Sequence, residues 1–178
     1  MLTPRKKTPD LSLPTLDHGT FDLSTETGTR GTLVVFFRGL HCPACANHLQ
    51  DLGKYIAAFE ERGVNVIAIS SDGEERAREM ATKVNVPGLR FAYDLPLEKA
   101  REWGLYISTS RGKTSIDIME PDLFSEPGIF MVTPEQSLYY GIVQTMPFCR
   151  PSFGELSGAL DFVIKNNYPA RGEYTGDV

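Results

Sequence analysis

The stretch LVVFFRGLHCPACANHLQDL, residues 33–52, decides the fold. Its first part, Leu33 to Phe37, is apolar and rich in β-branched and aromatic side chains, which predicts a strand buried on both faces. Pro43 comes where a helix would begin, because a proline at the first helical position sacrifices no hydrogen bond. An apolar stripe at helical spacing follows at Leu49, Leu52, Ile56 and Phe59. The stretch therefore predicts a strand that leads into a helix, with Cys42 and Cys45 at the junction.

The segment Cys42-Pro43-Ala44-Cys45 gives this junction its chemistry. Free N–H groups and the dipole at a helix N-terminus favour a thiolate over a thiol. Because the thiolate is the attacking species in disulfide exchange, we predict that Cys42 is the nucleophile. Cys45, one helical turn further on, is predicted to attack the mixed disulfide from inside. The spacing, the strand before it and the helix after it together indicate a thiol redox site.

The rest of the chain predicts an α/β fold. Residues 10–31 predict a hairpin, Gly63 is predicted to end the first helix and Asp72 to cap the second. Further strands are predicted at 64–69, 89–93, 129–132 and 137–143, with helices after residues 72, 96 and 153. This order predicts a central mixed, mostly parallel sheet with helices on both faces, in which the last pair of strands is antiparallel. Residues 104–127 fit none of these elements, which indicates a functional loop or insertion.

Length and charge restrict the class of protein. A chain of 178 residues fits one domain, which we place at 1–178 with its core at about 9–166 and a C-terminal tail at 167–178. The net charge of −5 argues against nucleic acid as a partner. No apolar run approaches the roughly 20 residues that cross a membrane, and no apolar segment follows the basic residues near the N-terminus. We therefore predict a cytoplasmic protein without a membrane partner.

Zinc binding is the alternative use of the cysteines. Cys42 and Cys45 could supply two ligands, with His41 and Cys149 as the others. However, the chain has no second clustered pair of ligands, and His41 adjoins Cys42, which makes joint tetrahedral coordination awkward. We therefore predict no metal and no cofactor, and expect His41 to tune the pKa of the neighbouring thiol.

Two residues distant in sequence are candidates for the same site. Pro127 precedes a predicted strand, and in a chain of this order it lies opposite the two cysteines. A cis peptide bond there would expose backbone to a substrate, whereas an ordinary trans proline would simply begin the strand. Arg150, which follows the last strand, either stabilises the thiolate or is a plain surface arginine.

Other chemistry-bearing residues are given structural roles. Cys149 is predicted to be a small buried apolar residue, with a third redox role as the alternative. Trp103 is predicted to be a core residue. We expect His48 on the solvated face of the first helix. Tyr139 and Tyr140 are adjacent in a strand and must face opposite sides, so one is predicted to be exposed and is a candidate contact in a homodimer.

Five segments carry a resemblance to a known family. Pro9–Leu13, Leu33–Gly39, Cys42–Cys45, Val66–Ser70 and Trp103–Leu105 resemble the peroxiredoxin-like members of the alkyl hydroperoxide reductase and thiol-specific antioxidant family. The resemblance covers about residues 9–166 and implies a thioredoxin-like fold.

The family's P-x-x-x-T-x-x-C pattern changes the roles that the resemblance implies. Laid on this chain, the pattern puts Arg38 at the proline, Cys42 at the threonine and Cys45 at the peroxidatic cysteine. Arg150 matches the arginine that the family holds near its thiolate. The threonine that helps to orient peroxide is missing, which weakens the expectation of efficient peroxidase activity but leaves dithiol exchange intact.

Three functions are consistent with these residues. The first is a thiol-dependent antioxidant oxidoreductase that cycles between a Cys42–Cys45 dithiol and disulfide. The second is a peroxidase with Cys45 as the peroxidatic residue, and the third is a non-catalytic module with idle or metal-bound cysteines. For the enzyme we expect a peroxide or disulfide substrate in contact with Pro127, His41 and Arg38. The electron donor is predicted to be a thioredoxin-like protein or a small thiol.

Overall fold

The computed structural model describes residues 2–177. The elements in chain order are β1 (Ser12–Pro14), β2 (Thr20–Asp22), β3 (Gly31–Phe36), α1 (Pro43–Gly53), α2 (Ile56–Glu61), β4 (Val64–Ile69), α3 (Glu74–Val84), β5 (Arg90–Ala92), α4 (Leu97–Glu102), β6 (Ile107–Thr109), β7 (Leu123–Ser125), β8 (Gly128–Val132), β9 (Leu138–Val143) and α5 (Phe153–Asn166). The predicted α/β order is confirmed.

The central sheet has five strands in the order β5-β4-β3-β8-β9. β4 runs parallel to β3 and to β5, whereas β8 runs antiparallel to β3 and to β9. The predicted mixed sheet is confirmed, but only two of its four pairings are parallel, and β3–β8 is antiparallel as well as the last pair. The physical reason is the path of the chain after β5. The chain returns to the end of β3 before β8 begins, since Phe36 pairs with Gly128.

The strand β3 separates two apolar layers. Leu33 and Val35 pack in the layer that contains α1, α2, α3 and α5. Val34 and Phe36 pack in the opposite layer, formed by the β1–β2 hairpin and α4. Burial on both faces explains the unbroken apolar run. Trp103 is fully buried 5.4 Å from the ring of Phe36, which confirms its predicted place in the core.

Two helix predictions need correction. The predicted helix from Pro43 to about residue 61 is divided into α1 and α2, because the amides of Lys54 and Tyr55 bond to carbonyls only three residues back. Asp72 does not cap α3, whose N-cap is Gly73. Instead, the buried Asp72 carboxylate accepts the N–H of Leu40 at 2.7 Å. The Asp72 carboxylate, which the local pattern predicted would cap the helix, is therefore bonded to a backbone donor that is distant in sequence.

The insertion at 104–127 has a sheet of its own, the antiparallel hairpin β6–β7. The C-terminal tail contacts the N-terminal segment, since the Arg5 guanidinium donates to the carbonyl of Ala170 at 2.8 Å. The predicted domain bounds, Met1 and Val178, lie outside the described residues. Over residues 2–177, no helix is both long and apolar enough to cross a membrane.

Candidate active site

Cys42 lies at the start of α1, as the sequence predicts. It is the N-cap residue, with Pro43 following as the first helical residue, and its Sγ accepts the backbone N–H of Cys45 at 3.2 Å. Ser, Thr, Asp and Asn usually fill such a position, because an N-cap side chain must accept a helix N–H. A thiolate meets that requirement and is favoured further by the helix dipole.

The two thiols differ in acidity. The side chain of Cys45 donates a hydrogen bond to the Cys42 sulfur, and this bond, opposed by burial, lowers the pKa of Cys42 to about 6. The backbone N–H of Cys45 and the charges of Arg38 and Arg150 act in the same direction. Burial first, and then the bond to Cys42, raises the pKa of Cys45 well above its ordinary value. At neutral pH the site therefore holds a Cys42 thiolate beside a Cys45 thiol.

Access to the two sulfurs also differs. Both side chains are buried, but a surface cavity of about 300 Å³ is lined by Cys42 and not by Cys45. Its walls are the start of α1, residues 111–115 of the insertion and the pair Pro147–Phe148. A substrate that enters this cavity meets the sulfur of Cys42 first.

Arg150 reaches both sulfurs from the loop before α5. Its Nη2 lies 3.4 Å from the Cys45 Sγ and 4.0 Å from the Cys42 Sγ, which places the guanidinium beside the two cysteines. Its Nε donates to the carbonyl of Pro147 at 2.9 Å, and its Nη1 donates to the Oε1 of Gln144 at 3.3 Å. Sequence reasoning missed Gln144, whose only signal is its place directly after β9.

His41 lies beside the cysteines in a form that the sequence did not predict. The side chain is fully buried, with its ring 4.6 Å from that of Phe124 and its Nδ1 3.4 Å from the Nη2 of Arg76. Burial lowers the pKa of His41 to about 4, so the ring is neutral at pH 7. The charges that lower the pKa of the Cys42 thiol belong to Arg38 and Arg150, and a neutral ring adds no charge to them. The tuning of this thiol by His41 stays a prediction.

Arg38 lines the cavity, but acidic side chains of the insertion hold its guanidinium. It pairs with Glu120 at 3.3 Å and with Glu126 at 3.5 Å, and it lies 4.8 Å above the ring of Phe124. All three partners lie more than 80 positions away along the chain, and no local pattern connects them with Arg38. Much of its charge is thus balanced within the protein.

Of the two alternatives for Pro127, the structure has the trans one, since the described residues contain no cis peptide bond. Pro127 is buried, and its carbonyl accepts the N–H of Gln144 at 3.0 Å. The cause is the position of β8, which starts at Gly128 in the middle of the sheet and packs the proline inside. Its backbone is therefore not open to a substrate strand.

Two further predictions near the site are wrong. Cys149 is exposed, because its loop turns outward and is held by a hydrogen bond from the Gln144 side chain to the Cys149 carbonyl at 2.6 Å. His48 is half-buried and not on a solvated face, because α5 packs there. Its ring stacks on Phe153 at 4.3 Å, and its Nε2 lies 2.9 Å from the carbonyl of Pro151.

The four ligands of the zinc hypothesis are not brought together. Within residues 2–177, no group of three or more His, Cys, Asp or Glu side chains is arranged to hold a metal ion. Tyr139 and Tyr140 are both half-buried, so neither is the exposed tyrosine that was expected.

A dithiol at the start of a helix, on a mixed sheet covered by helices, defines the class of thiol redox proteins with a thioredoxin-like fold. Comparison with known proteins gives the family. The model of the AhpC/TSA family matches residues 4–140, and the chain belongs to this family. The predicted family, the peroxiredoxin-like members of this group, agrees with this match.

The curated relatives that match this chain are named as peroxiredoxins. Two peroxiredoxin-named proteins of Mycobacterium tuberculosis, from strains CDC 1551 / Oshkosh and ATCC 25618 / H37Rv, are 32% identical over 107 residues. The matched part is 59% of this chain and 66% of each relative, slightly under two thirds of their length.

Solved peroxiredoxin structures share the fold. Peroxidoxin BcpB of M. tuberculosis superposes with a TM-score of 0.71 at 14% identity, over 92% of this chain and 99% of its own. The reduced 2-Cys peroxiredoxin of Plasmodium vivax superposes with a TM-score of 0.72 at 14% identity, over 100% of this chain and 92% of its own. The AhpC of Enterococcus faecalis superposes with a TM-score of 0.72 at 15% identity, over 96% of this chain and 99% of its own. At these identities the likeness confirms the predicted thioredoxin-like fold.

Proposed function

We propose that this protein is a thiol-dependent antioxidant oxidoreductase that reduces peroxides, with Cys42 as the attacking thiolate and Cys45 as the resolving thiol. The observation that carries the proposal is the asymmetry of the pair. Cys42 accepts a helix N–H, has a pKa of about 6 and lines the cavity, whereas Cys45 is closed off and protonated.

The proposed cycle has three balanced steps. The Cys42 thiolate attacks one peroxide oxygen, the O–O bond breaks, and the departing alkoxide or hydroxide takes a proton to leave Cys42 as a sulfenic acid. The Cys45 sulfur then attacks the Cys42 sulfur, forming the disulfide, and the sulfenic hydroxyl leaves with the Cys45 proton as water. Two electrons and two protons from an external dithiol, or from two thiols, restore the reduced pair.

The surroundings of the pair have supporting roles in this proposal. Arg150 holds negative charge on the sulfurs, while Arg38 and His41 form part of the wall that a substrate contacts. The third step needs a compartment rich in thiols, so the proposal includes a cytoplasmic location. A thioredoxin-like protein or a small thiol would act as donor, and a homodimer stays a prediction of the sequence.

One observation favours the reverse assignment, with Cys45 as the peroxidatic residue. The Nη2 of Arg150 lies nearer to the Cys45 sulfur than to the Cys42 sulfur, and the family pattern also puts the peroxidatic cysteine at Cys45. Against this assignment, Cys45 lies outside the cavity and burial keeps it protonated. We therefore retain Cys42 as the nucleophile.

The pH dependence of oxidation tests the proposed function. The pKa of Cys42 is lowered, so its thiolate is present above about pH 6 and is lost as the pH falls through that value. With this pKa, about nine tenths of the Cys42 side chains are ionised at pH 7, against about one hundredth for a thiol of pKa 9. Quenched-flow mixing with hydrogen peroxide should give a rate constant above that of free cysteine, with an inflection near pH 6.

The Cys149→Ser variant is the reference protein for this measurement, because an exposed thiol would add its own oxidation to the signal. A rate no faster than that of free cysteine at every pH would refute peroxidase activity. A fast rate with its inflection near pH 9 would instead refute the assigned thiolate.

A further inference from the structure

Cationic side chains line the cavity beside Cys42, although the protein has a net charge of −5. Three cations, Arg38, Arg111 and Lys113, line it together with a single carboxylate, that of Glu120. The excess of cations is local and lies around the opening to the reactive sulfur. A site of this charge attracts anions and repels cations.

Glu120 and Glu126, which pair with Arg38 at 3.3 Å and 3.5 Å, balance the charge of that guanidinium. The cationic rim of the cavity therefore consists of Arg111 and Lys113. One oxygen of Glu120 pairs with the Nη2 of Arg38 at 3.3 Å, and the other accepts the backbone N–H of Arg111 at 2.7 Å. The guanidinium of Arg111 makes no ion pair with any residue between 2 and 177. Lys113 pairs with Asp117, but these side chains are 57% and 82% exposed, and such a pair is easily exchanged.

One of the lining residues supplies an independent feature, a buried polar atom without a partner. The Nε2 of His41 makes no hydrogen bond within the described residues, although the side chain is fully buried and lines the cavity. Because the Nδ1 faces the Arg76 guanidinium, which can only donate, we assign the ring hydrogen to Nε2. A buried donor that stays unpaired costs free energy, and an oxygen of a ligand would pair it.

The size of the cavity points beyond hydrogen peroxide. Its volume is about 300 Å³, whereas a water molecule takes about 30 Å³ of liquid. We propose that this cavity binds a small organic anion, a redox substrate whose carboxylate meets Arg111 and Lys113 while its reactive group meets the Cys42 sulfur.

Two kinds of substrate share this chemistry, a carboxylate-bearing hydroperoxide and a carboxylate-bearing thiol donor. That the anion is a redox substrate rests on the proposed function. The anion preference itself does not, because it depends only on a reactive Cys42 and a cationic rim.

Alkylation of Cys42 tests the anion preference without any peroxidase step. In this reaction the thiolate displaces iodide and a carbon–sulfur bond forms, and iodoacetate and iodoacetamide differ essentially in the carboxylate. We expect the iodoacetate-to-iodoacetamide rate ratio to fall about threefold to tenfold in the double variant Arg111→Gln, Lys113→Gln, the size expected from two exposed cations. The rates are measured in a Cys149→Ser background by peptide mass spectrometry.

The matched control removes two cations elsewhere, in the double variant Lys6→Gln, Lys165→Gln, whose exposed side chains lie outside the cavity. The control should keep the wild-type ratio. An unchanged ratio in the cavity variant, or an equal fall in both variants, overturns the proposal.

Two further arms identify the substrate. Oxidation is compared for a short-chain hydroperoxy carboxylic acid and its methyl ester, and reduction of the disulfide for 3-mercaptopropionate and its methyl ester. In each comparison, the acid is expected to react faster than its ester in the wild-type protein, and the cavity variant to lose this preference. If this occurs in the oxidation comparison, the anionic substrate is the hydroperoxide; if it occurs in the reduction comparison, the anionic substrate is the thiol donor. If neither arm shows such a preference, the redox role of the anion is refuted, whatever the outcome of the quenched-flow test of peroxidase activity.

Discussion

Replacement of Cys42 by serine is expected to abolish peroxide-dependent turnover, with a fall of about 10³-fold or more. A serine hydroxyl is not ionised at neutral pH, and it cannot form the sulfenic acid or the disulfide. The change should preserve the fold, because serine is among the preferred N-cap residues and can accept the N–H of Cys45 in place of sulfur. Consumption of a thiol donor in the presence of peroxide measures the loss.

Cys149→Ser is the matched control for this variant. It makes the same sulfur-to-oxygen change at an exposed position, and the Cys149 side chain contacts neither active-site sulfur. We expect it to retain wild-type turnover. Full activity in the Cys42→Ser variant would show that Cys42 is not required for the reaction.

The second large effect is expected from Arg150→Met, which keeps a long side chain and removes its charge. The charge of Arg150 lowers the pKa of Cys42 and also acts on Cys45, so its removal should move the inflection of the pH–rate profile upwards. We expect the rate of oxidation at pH 7 to fall about 10-fold to 100-fold, the range found when a hydrogen bond to a charged group is lost. Quenched-flow oxidation across pH 5 to 10 gives both quantities.

Arg101→Met controls for the loss of one positive charge from the protein. Arg101 is exposed on α4, in the layer on the other side of the sheet from the cysteines. Its variant should keep both the rate and the inflection. If Arg150→Met changes neither, the guanidinium has no part in stabilising the thiolate.

The junction between β3 and α1 could be predicted from sequence because local features determine it. An apolar run indicates the buried strand, and Pro43 marks the first helical position. Cys42 and Cys45 lie immediately before Pro43 and two residues after it, so their places at the start of the helix follow directly. A position of Arg150 near the two cysteines was one of two alternatives, suggested by its place between the last strand and the last helix and by the family resemblance, and its Nη2 lies 3.4 Å from the Cys45 sulfur.

Contacts between residues far apart in the chain could not be predicted. The Arg38–Glu120 pair joins positions 82 apart, and no spacing rule connects them. Asp72 illustrates a competition between two partners. Its place before a helix suggested a cap, but its carboxylate bonds instead to the N–H of Leu40, 32 positions earlier. The burial of His41 likewise depends on Phe124, a residue of the insertion that had no assigned structure.

The most direct test of Cys42 as the attacking thiol is to locate the sulfenic acid formed by one equivalent of peroxide. In the variant Cys45→Ser, Cys149→Ser, the oxidised sulfur has no resolving partner and is captured by dimedone for peptide mass spectrometry. We predict the adduct on Cys42, at the rate at which the thiol is oxidised in the Cys149→Ser reference. Cys42 is not the attacking thiol if it stays unmodified there and the variant Cys42→Ser, Cys149→Ser forms the adduct on Cys45 at that rate.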